Sequence, residues 1–270
     1  MKFRDHVVLI TGASSGIGAA LARELAREGA KLVLLARRRE RLEGLCAELT
    51  AAGSQVLAHV GDVTQRADLD AAVALAIAHY GRLDMAVANA GFGVVGPVEK
   101  LGVEDYRRQF DTNVFGVLET IKACLAELRK ARGRLVLIGS VAGYVSMPNA
   151  SPYSMSKFAI RALADAIGPE LRPHGVAVTL ISPGFIASEI RQVDNRGVYH
   201  PVAKNPLPAW LVMPADVAAR KIVAATYRRR REAIITAHGK AFVWLQRFAP
   251  WVFRLTARRG VRGRPEPKRN

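Results

Sequence analysis

Tyr153 and Lys157 stand four residues apart in the stretch Pro152-Tyr153-Ser154-Met155-Ser156-Lys157. On a helix that starts near Tyr153 the two side chains share one face. A free tyrosine, with a pKa of about 10, is a poor proton donor or acceptor near neutrality. An ammonium group close by favours the phenolate and can move such a pKa by roughly 1–3 units. The pair is therefore a candidate general acid and base. Ahead of it, in Ser140-Val141-Ala142-Gly143, the Ser140 hydroxyl can polarise a carbonyl oxygen. Taken alone, Tyr-x-x-x-Lys is common and reads as an exposed helix face.

A second group, near the N-terminus, suits a phosphate. Thr11-Gly12-Ala13-Ser14-Ser15-Gly16-Ile17-Gly18 follows a strand-like run and leads into a helical one. Its glycines permit a tight turn and close backbone approach to a pyrophosphate. The helix beyond offers free N–H groups and the positive end of a dipole. A glycine-rich loop alone is weak evidence, but strand, loop and helix in this order are what a dinucleotide site requires. The glycines are spaced G-x-x-x-G-x-G rather than G-x-G-x-x-G.

Both groups need a scaffold. Val7–Ile10, Leu32–Leu35, Val56–Val60, Met85–Ala88, Leu135–Ile138 and Val176–Ile181 read as buried strands, with Glu232–Thr236 as a further one. Helical patterns such as Ala19–Arg27, Arg39–Ala51 and Ala67–His79 lie between them. Continuous apolar strands alternating with helices predict a parallel sheet covered on both faces. The expected fold class is α/β, a Rossmann-like doubly wound sheet in a single domain. At 270 residues, half of them hydrophobic, the chain can bury one large core. Ser140 then ends the fifth strand, on the edge where such sheets bind ligands.

The Thr11–Gly18 loop, Asn89-Ala90-Gly91 after the fourth strand, Asn113, Ser140 and the Tyr153/Lys157 pair together resemble the short-chain dehydrogenase/reductase family. The resemblance covers roughly residues 5 to 236. It implies a sheet of about seven parallel strands and hydride transfer between a nicotinamide cofactor and a CH–OH or C=O group. It implies that Tyr153 is the general acid in reduction and the base in oxidation. Lys157 would lower the pKa of Tyr153 and hold the nicotinamide ribose, and Ser140 would orient the substrate oxygen. Asn113 would hold a water in a proton relay behind Lys157. Gly12, Ser14, Ser15, Gly16, Ile17 and Gly18 form the implied phosphate loop. Asn89, Ala90 and Gly91 line the cofactor cleft, and Asp62 and Val63 contact the adenine. Pro183-Gly184-Phe185-Ile186-Ala187-Ser188 matches the loop facing the nicotinamide, with Pro183, Gly184, Ile186 and Ser188 as contacts. The family more often has Thr where this chain has Ser188, and serine keeps the hydroxyl.

In NAD-preferring members an acid at the end of the second strand binds the adenosine ribose. Here that position is Ala36, followed by Arg37 and Arg38. Gly18 to Arg37 spans 19 residues, close to the roughly 20 expected for the ribose-reading side chain. A carboxylate would repel a 2′-phosphate, whereas a guanidinium pairs with it in bidentate fashion. Arg37, with Arg38, therefore predicts NADP(H) as the cofactor. Arg39 and Arg41 are expected to begin the next helix and face water. The competing reading is that all four arginines are solvated.

The remainder is less specific. Residues 185–213 are richer in Pro, Asn and Gly and are expected to form a substrate lid. Ile186, Ile190, Val193, Val198, Tyr199, Leu207, Trp210, Leu211 and Met213 are candidate apolar lining, with Tyr144, Val145 and Met147 as an opposite wall. His174 and His200 read as structural or exposed, Cys46 and Cys124 as small core residues, and no metal is expected.

The body, 1–237, is distinguished from an extension, 238–270. From Tyr227 onward there are 13 Lys/Arg against 2 Asp/Glu, so this segment carries +11 of the net charge of +17. Five of the eighteen aromatic residues fall within Phe242–Phe253, and Pro250 is expected to kink the segment or start a second short helix. Lys240, Arg247 and Arg254 recur every seven residues, which puts the charges on one helical face and the aromatics on others. The extension either packs on its own subunit or across a dimer, lies in a membrane interface through 240–258, or covers the substrate pocket. Its last ten or so residues read as disordered.

The leading functional reading is an NADPH-dependent reductase of a lipophilic ketone or aldehyde, or the reverse alcohol dehydrogenase. Alternatives are a 3-oxoacyl-thioester reductase working with an acidic carrier protein and a non-catalytic NADP-sensing or scaffold protein. A homodimer or homotetramer in the cytoplasm is expected. Nucleic acid is not an expected partner, because the body shows no recognition motif.

Overall fold

Seven apolar segments pair side by side in the computed structural model, which describes residues 1–200 and 207–253. They are β1 (Val7–Thr11), β2 (Lys31–Ala36), β3 (Val56–Val60), β4 (Met85–Ala88), β5 (Arg134–Ile138), β6 (Ala177–Ser182) and β7 (Glu232–Ile234). Every pairing is parallel, and the order across the sheet is β3-β2-β1-β4-β5-β6-β7. The central strands are buried throughout because side chains on both of their faces meet helices. Val8 and Ile10 pack with α1 (Gly16–Arg27), α2 (Arg39–Ala51) and α7 (Ala215–Tyr227). Val7 and Leu9, pointing the other way, pack with α3 (Arg66–Tyr80), α5 (Gly116–Ala131) and α6 (Ser151–Leu171). α4 (Val103–Phe110) and α8 (Ala237–Phe248) complete the described helices.

This is the expected doubly wound fold. β7 is shorter than the expected Glu232–Thr236, because Thr236 leaves the strand to cap α8, its hydroxyl accepting the Gly239 N–H at 3.2 Å. Pro250 does start a second turn: α8 stops at Phe248 and residues 250–253 are again helical. The reading of 260–270 lies outside the described residues. Among the described residues, no helix is long and apolar enough to cross a membrane.

The order of the sheet reverses between β1 and β4, and ligands of such sheets bind beyond the strands' C-terminal ends at that point. There Asn89 Nδ2 donates to Thr11 O at 3.0 Å and Gly12 O at 3.1 Å, while Thr11 Oγ1 accepts the Asn89 and Ala90 N–H groups. The start of the phosphate loop is thus tied to the end of β4.

At the opposite end of these strands Asp84 does a similar job. Its carboxylate is buried, accepts the Val7 N–H at 2.9 Å and is gripped by Arg82 at 2.6 Å, while its backbone carbonyl accepts the Arg134 N–H. One residue therefore aligns the starts of β1, β4 and β5. Replacing it leaves a buried donor and a cation without partners. Asp84→Ala is expected to lower stability by about 2–4 kcal/mol in urea unfolding, with Asp84→Asn losing less because it keeps an acceptor. A loss under about 0.5 kcal/mol for Asp84→Ala would remove this role.

Candidate active site

Pro152 at the start of α6 suits the first turn of a helix and places Tyr153 and Lys157 one turn apart beneath the end of β5. Lys157 is buried, and its Nζ donates to Ile138 O, the last carbonyl of β5, at 2.9 Å. Burial lowers its pKa to about 8. α6 approaches this closely because Gly143 has no side chain: a Cβ there would sit 2.7 Å from Lys157 O. The Lys157 amine lies 5.8 Å from the centre of the Tyr153 ring.

The environment of Tyr153 differs from expectation. Burial pushes its hydroxyl pKa up, and a hydrogen bond with Ser140 and the charge of Arg191 only partly oppose that. Lys157 does not hold it low here, because its amine is directed to Ile138. Arg191, from the 3-10 turn Glu189–Gln192, was not among the expected site residues. Ser140 is well placed to orient a substrate oxygen: its Oγ is held by the Ala142 N–H at 3.1 Å beside the tyrosine.

Asn113 lies in a π-helical segment, Asp111–Phe115, between α4 and α5. Such widened turns within helices are frequent at functional sites. Its side chain is committed to the loop after β4: Oδ1 accepts the Phe92 N–H at 3.1 Å, and Nδ2 donates to Phe92 O at 3.0 Å and Ser156 Oγ at 3.3 Å. Gln109 finishes the clamp, accepting from Val94 N at 2.6 Å and donating to Phe92 O at 2.9 Å. The Asn113 side-chain amide thus positions this loop. Gln109 and Ser156, both fully buried, escaped sequence reasoning, since a polar residue on a helix gives no sign of burial. Gly91 gives Asn113 room, because a Cβ there would lie 3.0 Å from its Oδ1.

The phosphate loop fits a dinucleotide. Gly12 and Gly16 adopt φ of +65° and +52°, a conformation side chains disfavour. A Cβ on Gly18 would overlap Gly12 O, and one on Gly12 would lie 2.7 Å from the Ala90 Cα. Ser15 at the head of α1 makes no side-chain cap, so the first-turn N–H groups remain available to an anion. Ser188 reaches this loop from the far side, its Cβ 3.0 Å from where a Gly16 Cβ would be. Ala90 and Ile17 pack partly buried against the core, and Ile186 is buried in it.

The arginines after β2 divide differently from the sequence reading. Arg37 is more than half exposed and pairs with Asp62 at 3.5 Å. Arg38 is the one at the phosphate loop, donating to Ser15 Oγ at 2.6 Å, to Ser14 Oγ at 3.3 Å and to Glu189 at 2.9 Å. Arg39 faces water with Glu43, as expected. Arg41 is exposed on the same helix, and it also pairs with Glu189 and lies over the Tyr199 ring at 4.6 Å. Although burial opposes it, the hydrogen bonds from Arg41 and Arg38 hold the Glu189 carboxyl below its usual range. The Val63 side chain is buried against Gly116, which leaves its backbone as the part that could meet an adenine.

The expected substrate walls are also revised. Tyr199 belongs to the arginine cluster, and Val198 and Trp210 are exposed. Tyr144 is buried and donates to Glu232 under Arg161, Val145 is buried, and Met147 is exposed. His200 pairs with Asp194 within the lid, and Cys124 is buried, both as read. The lid docks on the body through Asn195, whose side chain bonds both Val95 N and Val95 O.

Comparison with known proteins agrees with this geometry. A family model described as short chain dehydrogenase matches residues 6–198. The chain is 34% identical over 260 residues to 11-beta-hydroxysteroid dehydrogenase A of Sesamum indicum, covering 92% of this chain and 74% of that protein. It is 40% identical over 224 residues to A-factor type gamma-butyrolactone 1'-reductase (1S-forming) of Streptomyces virginiae, covering 80% and 87%. A short chain dehydrogenase/reductase from Burkholderia phymatum in complex with NAD superposes with a TM-score of 0.83 at 25% identity, covering 93% and 96%. An alcohol dehydrogenase from Thermococcus sibiricus complexed with 5-hydroxy-NADP does so with a TM-score of 0.72 at 29% identity, covering 85% and 95%. With residues 6–198 matched and the Ser140, Tyr153 and Lys157 side chains gathered beside a dinucleotide loop, the chain belongs to the short-chain dehydrogenase family and is an oxidoreductase that takes a nicotinamide cofactor.

Proposed function

We propose that this protein is an NADPH-dependent reductase of a lipophilic ketone or aldehyde, also able to oxidise the corresponding alcohol. The observation that carries the reading is Tyr153: a half-buried side chain whose hydroxyl is bonded to Ser140, with Lys157 one turn away. Bound cofactor supplies or accepts the hydride at its nicotinamide ring. Tyr153 Oη gives the proton to the developing alkoxide, and Ser140 Oγ fixes the oxygen that receives it. The two relatives named for a hydroxysteroid and a butyrolactone support a lipophilic substrate.

The titration of the pair gives a test. The Lys157 amine is charged below about pH 8 and neutral above it. Its positive charge therefore helps hold the cofactor and the reacting oxygen on the acid side of that value and is lost on the alkaline side. Reductive kcat/KM is expected to fall above about pH 8, approaching tenfold per unit. Tyr153→Phe is expected to lower kcat by about 100-fold or more with the fold intact. A flat profile to pH 10, or an active Tyr153→Phe enzyme in a panel of carbonyl compounds, would refute the assignment.

The choice of NADPH rests on Arg38 more than on Arg37. Arg38 and Arg41 converge on the Glu189 carboxylate beside Ser14 and Ser15, and no acid occupies Ala36. Two guanidinium groups that hold a carboxylate equally suit the 2′-phosphate of NADPH, which would have to displace Glu189. Arg38→Ala is expected to reduce kcat/KM for NADPH about 10–100-fold and leave NADH nearly unchanged. Glu189→Gln is expected to tighten NADPH binding several-fold. Wild-type preference for NADH would remove the proposal.

α8 supports a membrane partner. Its exposed stripe runs Lys240, Trp244, Arg247 and Phe248, with exposed Trp251 in the turn that follows, so aromatic and cationic residues share one face rather than opposite ones. A second copy packed symmetrically on it would set like charges against each other. An anionic bilayer satisfies both components, and residues 254–270 add seven further Lys/Arg against one Glu. The chain is expected to sediment with vesicles containing phosphatidylglycerol but not with phosphatidylcholine alone. Replacing Trp244, Phe248 and Trp251 by Ser is expected to weaken this at least about tenfold, since each buried aromatic contributes roughly 1.5–3 kcal/mol. Vesicle binding unaffected by that replacement would exclude the face, as would a dimer abolished by it. A homo-oligomer formed through α5 and α6 is supported by exposed Phe115, Met155 and Phe158 beside and on those helices.

A further inference from the structure

Nothing in the body of the sequence marks His238, the second residue of α8 and the first of the extension. Its imidazole nevertheless enters the loop that runs Pro183 to Ser188. Nε2 accepts the Phe185 N–H at 3.0 Å and lies 3.2 Å from Thr236 Oγ1. The ring stacks on Phe185, with centroids 5.2 Å apart and planes 22° from parallel. Gly184 permits this approach, because a Cβ there would overlap both Thr236 Oγ1 and His238 Nε2. An Nε2 that accepts a backbone N–H carries its lone pair there, so the imidazole is neutral with its proton on Nδ1.

The loop has two other anchors. Pro183 O accepts the Val141 N–H at 2.9 Å, one residue beyond the catalytic serine. Phe185 O and Ala187 N bond Met213 N and O, each at 2.9 Å, beside the Ile186–Met213 bridge. Between these anchors the Phe185 N–H is held by His238. The same turn of α8 also rests on the catalytic segment, since a Cβ on Gly239 would lie 2.7 Å from Val141 Cγ2.

We infer that His238 is a positioning residue for the cofactor, in which its imidazole fixes the Phe185 peptide and with it the Pro183–Ser188 loop against the nicotinamide. This rests on the reading of that loop as the nicotinamide-side contact. The extension's first turn is then part of the active-site frame and not an appendage to it. Protonation of Nε2 would replace the acceptor by a donor facing the Phe185 N–H and break the anchor. Around the imidazole stand Phe185 and Gly184 from the loop and Thr236 and Phe242 from its own side, with Arg191 on the Phe185 ring at 5.8 Å. Burial pushes the imidazole pKa below its ordinary value, so the anchor holds at neutral pH and is lost only as the solution becomes acidic.

The test compares wild type with His238→Ala, His238→Phe and His238→Gln in the full chain, reading NADPH binding by fluorescence and steady-state KM and kcat from pH 5 to 8. Removing one hydrogen bond to the loop is expected to raise the NADPH KM about tenfold in the Ala and Phe variants. His238→Gln offers an acceptor that does not titrate there. It is expected to stay within about threefold of wild type and to lose the acid-side rise in KM. Ala and Phe variants with wild-type KM at neutral pH would overturn the inference. So would a Gln variant no better than Phe, which would reduce the residue to packing. Wild-type protein that binds no nicotinamide cofactor would overturn the reading of the loop and this inference together, a distinct result from equal binding by all four proteins.

Discussion

The buried Lys157 amine, bonded to the last carbonyl of β5, is the constraint around which the site is built. An ammonium held away from water must have a partner, and the partner here is backbone, fixed by the sheet. That demand brings α6 against the turn after β5 closely enough that only glycine fits at 143. Once α6 is so placed, Tyr153 comes one turn earlier, beside Ser140. The catalytic spacing thus follows from where one amine can be satisfied.

Two further clamps keep the surroundings of that amine in register. Asn89 joins the phosphate loop to β4, and the Asn113–Gln109–Ser156 group holds the segment Phe92–Val94 through its backbone. In both, side-chain amides bond main chain: Asn89 donates to Thr11 and Gly12 carbonyls, while Asn113 and Gln109 use donor and acceptor alike on Phe92 and Val94. The π-helical turn lets Asn113 leave the regular helix and reach the loop. Rigidity around this site therefore comes from amide side chains whose hydrogen bonds leave them little conformational freedom, those of Gln109 and Asn113 fully buried.

The scaffold was readable from the sequence because central parallel strands are buried on both faces and become continuous apolar runs, as at Leu32–Leu35 and Leu135–Ile138. Tyr153, Lys157 and Ser140 were readable because each falls at a strand end or on a helix start. The arginines after β2 were not separable, since which one meets the phosphate loop depends on where the helix begins. Arg38 takes the N-cap with φ of −83° and ψ of 93°, and that turn aims it, not Arg37, at Ser14 and Ser15. The partners of Arg41, Glu189 and Tyr199, leave no local sign either, because they lie about 150 residues further along the chain. Gln109, Arg191 and His238 act through contacts between distant elements, and such contacts leave no local pattern to read.

The loop after β6 is anchored twice within a few residues. Near its start, Glu189 occupies the guanidinium pair of Arg38 and Arg41, on the adenosine side by the family's pattern. Just before that, Phe185 and Ala187 are tied to Met213 and His238, on the nicotinamide side. Only a few residues separate these anchors, so a change of partner at Glu189 would be felt at Phe185 through a short run of backbone. Such coupling requires no long-range pathway, because both anchors lie on the same loop.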